Sequence, residues 1–194
     1  MKQLKRPRGL SMGAFLGLQW VLQMEVAMRP STVESLKESL AIWQELEAGD
    51  LAQRSLVTEM AGEIQRKILS LESLLGLYAV HGLGLTLKHC RTDSWGILSE
   101  DSSEPGRYRW TMFGKDGFTG HCTQDTAELC IGDMLDDGFM IPDMGALERL
   151  SCTTEWQRGM EVCAVIQACN AGRLSWQEAN DRYAEIDQRY RSAA

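Results

Sequence analysis

Two dipeptides, His89-Cys90 and His121-Cys122, bring together the side chains of this sequence best suited to chemistry. Imidazole and thiolate are zinc ligands, and a thiol beside an imidazole has the makings of a nucleophile. Neighbours on a strand point to opposite faces, so each dipeptide offers one of its two groups to a common centre, not both. A full ligand set would then need His81, Cys130 or a carboxylate as well. A reactive thiolate needs cations beside it, and Lys88, Arg91 and Lys115 are the few in the neighbourhood. The dipeptides therefore lead to no assigned metal, cofactor or catalytic residue. The six cysteines include no Cys-x-x-Cys pair and are read as reduced thiols of a cytoplasmic protein. No GxSxG, P-loop, zincin or dinucleotide fingerprint is present.

A second constellation is acidic: Asp133, Asp136, Asp137 and Asp143 fall around the end of one predicted helix. Carboxylate clusters bind divalent cations or basic partners, or they simply stay solvated. Asp136 and Asp137 would face the negative end of the helix dipole at about 0.3–1 kcal/mol each, a mild anomaly. A solvated negative surface is the plainer reading of the cluster, a docking patch for a basic partner the sharper one. A third set, Trp176, Tyr183 and Tyr190, recurs at helical spacing with Ala179 and Ile186 near the C-terminus. Such a seam packs on the preceding helix in an αα-hairpin, or in part on a partner chain, a homodimer included.

The elements that position these residues can be read from periodicity and punctuation. Arg107 to Phe113 alternates, with Tyr108, Trp110 and Met112 on one face, as a half-buried strand would. Gly114-Lys115-Asp116-Gly117 is a turn, and Phe118 to Thr123 returns as its partner. Asp125 with Glu128 is a capping-box pair for a helix that Gly138 stops. Leu83, Leu85, Leu87 and His89, then Ser94 to Leu98, supply two further strands. Between the strands, Ser99 to Gly106 is a small, acidic, exposed loop. Met140 to Met144 is extended, and Ala146 to Leu150 is a short helix.

Upstream, Ser31 with Glu34 opens a helix that Gly49 ends, and Asp50 starts a longer one. The apolar stripe of the longer helix is Leu56, Met60, Ile64, Ile68, Leu71, Leu75 and Tyr78, and the two should lie antiparallel. Gly62 and Gly76 weaken it by about 1 kcal/mol each, as a close helix crossing would explain. Downstream, Thr154 with Gln157 caps an apolar helix to Asn170 that should be central, and Ser175 with Glu178 opens the last helix after Gly172.

The expected fold is α+β: mostly helical, with a small antiparallel sheet of three or four strands in the middle of the chain. Residues 1–30 form a basic, amphipathic helical arm. Residues 31–194 form one domain, helical over 31–80, sheet and helix over 83–150, and a helical hairpin over 151–194. Charge divides along the same line. In residues 1–30 five basic groups stand against Glu25, a net +4, so with −7 for the whole chain residues 31–194 carry −11. An acidic body repels phosphate backbones, so nucleic acid is a partner only through Lys2, Lys5, Arg6 and Arg8. The apolar run from Leu10 to Leu22 lacks a cleavage site and is too short for a bilayer, which takes about 20 apolar residues. A helix at a membrane surface is the remaining membrane role for that arm.

The functional expectation is a small soluble non-enzymatic protein that binds and regulates, by inhibition, another macromolecule, above all a protein. Its profile is that of an accessory or immunity-type factor, such as bacterial mobile elements carry. The contending expectations are an enzyme using the His/Cys or Asp clusters, and a membrane-surface or nucleic-acid-associated factor acting through the arm.

Overall fold

The computed structural model describes residues 31–46 and 51–192; the chain is of the α+β class, with six helices and one five-stranded antiparallel sheet among those residues. It divides into two compact units, residues 1–65 and 66–194. The basic arm with Lys2, Lys5, Arg6 and Arg8, the stop expected at Gly49 and the start expected at Asp50 lie outside the described residues.

In the first unit, α1 (Val33–Glu45) buries Leu36, Ser39 and Trp43. Thr32, not Ser31, caps it: the Ser35 amide donates to Thr32 Oγ1 at 3.2 Å and the Thr32 amide to Ser35 Oγ at 3.2 Å. Adjacent hydroxyls are similarly able to cap, and Thr32, with an extended backbone at φ −104° and ψ 158°, takes the role. Helix α2 (Leu51–His81) follows. Along its part in the second unit, Ile68, Leu71 and Leu74 are buried while Leu75 is only half-buried, so the stripe turns one residue earlier than expected. Gly76 faces open space, with nothing within 4 Å of a Cβ placed there, so no close crossing accounts for it.

The rest of the second unit is built on the sheet. Strands β1 (Thr86–His89), β2 (Ser94–Glu100), β3 (Tyr108–Gly114), β4 (Gly117–Gln124) and β5 (Phe139–Pro142) lie in the order β4-β3-β2-β1-β5. The expected three or four strands are thus five, because the extended segment at Pro142 joins β1, with Leu87 opposite Pro142 and Lys88 opposite Ile141. Proline is tolerated there because β5 is an edge. Leu83, read as strand, lies in the turn before β1 and is exposed, while Leu85 and Leu87 are fully buried. β2 and β3 pair in unbroken register from Ser94↔Gly114 to Glu100↔Tyr108. β3 and β4 turn through Lys115-Asp116, with Gly117 at φ 98°.

β3 is half-buried along most of its length, but it buries one large side chain on each face, Trp110 and Phe113. On one face Trp95 stacks on Phe113 with centroids 6.0 Å apart, and Trp156 meets Phe113 edge-on at 5.9 Å, over Ala146, Leu147 and Leu150. On the other face Trp110 meets Phe139 at 5.4 Å, and Gly96 leaves room for Met134, whose Cε would lie 2.9 Å from a Cβ at that position. Met134 belongs to α3 (Ala127–Asp136), where Cys130 and Ile131 are also fully buried.

The central helix is therefore α3. Thr126, not Asp125, caps it through the Leu129 amide at 3.2 Å, and Gly138 at φ 89° ends its turn. The short α4 (Ala146–Ser151) leads to α5 (Thr154–Asn170), capped by Thr153, not Thr154. α5 was expected to be central, yet only Trp156 and Gly159 are buried along it, and Met160 and Ile166 are exposed. Its apolar residues are spread round the helix: one face, at Gly159, Met160 and Cys163, meets β4 and the turn before it, while another, at Arg158 and Glu161, meets the final helix, α6 (Trp176–Ser192), through charged pairs. α5 and α6 form the expected hairpin, with Ala179 and Ile186 buried. Ser175 and Glu178 make the expected cap, Glu178 Oε2 accepting from the Ser175 amide at 2.8 Å. No helix among the described residues is long and apolar enough to cross a membrane.

Candidate functional site

The register of β4 separates His121 from Cys122. His121 lies opposite Thr111 and is exposed, while Cys122 lies opposite Trp110, on the α3 face. There Cys122 Sγ is 3.6 Å from Asp133 Oδ2, which also accepts from Gln124 Nε2 at 2.6 Å. Burial first and the Asp133 charge second push the Cys122 thiol up. Burial also pushes Cys130, beneath it, up to about 12. Both thiols are held in the protonated form, opposite to what a nucleophile needs. The other dipeptide is likewise divided. His89 Nδ1 accepts from the Arg91 and Thr92 amides at 3.0 Å each, while Cys90 is exposed beyond the strand end. Among the described residues no three His, Cys, Asp or Glu side chains come together as a metal site.

The four aspartates do not form one patch. Asp133 serves Gln124 and Cys122, and Asp136 pairs with Lys67 of α2. Asp137 is exposed, and desolvation, followed by the charges of Asp133 and Asp136, raises its pKa. Asp143 lies apart from these, accepting from Trp95 Nε1 at 2.9 Å and from Arg149 Nη2 at 2.7 and 2.8 Å. The Arg149 bonds, aided by Trp95, lower its pKa.

A tighter carboxylate site stands where only an exposed loop was expected. The Asp101 side chain is fully buried. Ser103 donates to it from Oγ at 2.6 Å and from its amide at 2.8 Å, Thr123 Oγ1 at 2.7 Å, and Arg109 from Nε at 3.1 Å and Nη2 at 2.9 Å. The Ser103 and Thr123 hydroxyls, with Arg109 behind them, hold it well below the usual carboxylate range. Every donor comes from the protein itself, so the cluster pins the loop to β3 and β4. Its signal in the sequence was faint: Arg109 and Thr123 sit opposite one another across the hairpin.

The aromatic set sorts differently. Tyr190 Oη donates to Glu161 Oε1 at 2.9 Å and Tyr183 is half-buried, so both belong in part to the hairpin, which Arg158–Asp187 at 2.6 Å and Arg189–Glu161 at 2.8 Å also clamp. Trp176 does not pack into it and is 70% exposed. Next to it in sequence, a groove of about 490 Å³ opens between the last turns of α5 and the start of α6. Ala164, Val165, Ala168 and Leu174 make its apolar part, and Arg173 and Arg182 its charged part. Neither arginine was singled out in the sequence, because nothing local distinguishes them from other surface cations.

No protein-family model, curated protein or solved structure matches the chain.

Proposed function

We propose that this protein acts by binding and regulating, in the sense of inhibiting, another protein. The observation that carries the reading is Trp176: a 70% exposed indole at the start of α6, on a hairpin whose other exposed apolar side chains include Ile166 and Met160. Tryptophan loses little entropy on docking and dominates binding energies where it is buried by a partner. Asp136 and Asp137, exposed at the end of α3, add negative surface charge of the kind that steers association more than it holds a complex together. The quenched thiols of Cys122 on β4 and Cys130 on α3 support a binding role over a thiol-based reaction.

The test is affinity capture from native lysate with the intact chain, a Trp176→Ala variant, and a chain carrying Asn at Asp133, Asp136 and Asp137. A partner recovered by the intact chain should be lost with Trp176→Ala, at a cost of about 2 kcal/mol or more in affinity. The triple variant should slow its association without abolishing it. Identical recovery with all three chains would remove the proposal.

A further inference from the structure

We infer that the groove at the tip of the α5–α6 hairpin receives an acidic segment of the partner protein, with an apolar side chain seated on Ala164, Val165, Ala168 and Leu174 and carboxylates paired to Arg173 and Arg182. The inference rests on the binding reading and names the chemistry of the partner.

Charge complementarity carries it. On a chain of net charge −7, the residues lining this groove include two arginines and no acid. Among the described residues the Arg173 side chain has no hydrogen-bond or ion-pair partner. Arg182 is shared with Glu185 at 3.2 Å, but both side chains are about 60% exposed, and such pairs hold an arginine only weakly. Two planar guanidinium groups beside an apolar floor match carboxylates flanking an apolar anchor.

The groove is also pre-formed. Gly172, at φ 68°, sends its amide to the Cys169 carbonyl at 2.9 Å, and the Arg173 amide reaches the Ala168 carbonyl at 2.9 Å. This is the bonding of a Schellman cap, and it satisfies carbonyls that would otherwise present negative charge to an incoming acid. Arg173 and Leu174 are thereby set in place before any partner arrives, which spares the cost of ordering the loop on binding.

The probe is a fluorescein-labelled pool of Glu-rich peptides with Leu or Phe at helical spacing, set against a matched pool in which Lys replaces Glu. Anisotropy titrations with the full chain should show binding of the acidic pool that weakens as salt rises. Arg173→Glu with Arg182→Glu should reduce that affinity by about tenfold or more while circular dichroism stays unchanged, and Arg173→Lys with Arg182→Lys, which keeps the charge and loses the planar fork, should fall between that variant and the intact chain. Equal binding of the Lys pool, or indifference to the double charge reversal, overturns the inference. A lysate partner that is lost with Trp176→Ala yet unaffected by the charge reversal overturns it too, while leaving the binding function standing.

Discussion

Gly159 of α5 sits directly against the Asp116 carbonyl in the β3–β4 turn, so close that a Cβ at Gly159 would overlap that carbonyl's oxygen and carbon. Helix propensity alone favours Ala over Gly by about 1 kcal/mol, but the obstacle here is backbone, which cannot swing aside as a side chain would. Gly159→Ala should therefore destabilise the second unit by about 1–3 kcal/mol, in the range of overpacked cores. Urea unfolding followed by circular dichroism checks it, and a stabilised variant would show that helix and turn do not meet this way.

Two further glycines should respond with opposite signs. At Gly138, φ is 89° and a Cβ would lie 2.9 Å from His89 Nε2, so Gly138→Ala should cost about 1–2 kcal/mol through the left-handed backbone alone. At Gly76 a Cβ meets open space on a helix, so Gly76→Ala should stabilise by about 1 kcal/mol. Thermal midpoints of the two variants, measured side by side, give the comparison.

Acid should loosen the Asp101 clasp. An unfolded aspartate titrates at about pH 3.9, whereas hydroxyls of Ser103 and Thr123 hold the folded carboxyl well below that. Because the folded pKa is lowered, the stabilisation is complete above the unfolded value and is lost as pH falls toward the folded one. The gap in urea midpoint between the intact chain and Asp101→Asn should be widest near neutrality and narrow below about pH 4. A gap that stays constant down to about pH 2 would contradict the clasp.

Thiol accessibility gives a separate check. Cys90 and Cys152 are exposed, Cys122 is half-buried with a raised pKa, and Cys130 is fully buried and pushed up to about 12. Iodoacetamide at about pH 8 should label Cys90 and Cys152 first and leave Cys130 untouched until urea unfolds the chain. Peptide mass spectrometry reads the order, and early labelling of Cys130 would show that α3 does not cover β3 and β4 as described.

What could be read from the sequence was local. The β3–β4 hairpin, the stop at Gly138 and the Ser175–Glu178 cap each follow from residues within a few positions of one another, and each is present. The three displaced caps failed by a single residue, because Thr32, Thr126 and Thr153 stand beside side chains with the same capping ability. β5 was not legible as a strand: its four residues include a proline, and its pairing comes from Leu87 and Lys88, far back in the chain. For the same reason Asp143 was grouped with Asp133, Asp136 and Asp137, when its bonds run to Trp95 and Arg149. α5 was misplaced because counting apolar residues says nothing about which side of a helix meets a neighbour.

The sheet order places β5, which follows α3 in the chain, against β1, which precedes β2. During synthesis on the ribosome, β1 through β4 emerge before β5, which pairs with β1. Until residue 142 has left the exit tunnel, Thr86 and Lys88 present bare amides and carbonyls to whatever nascent chain lies nearby. Truncated products that end before β5 should therefore stick to one another more readily than the chain that carries β5, whose own edge is short and interrupted by Pro142.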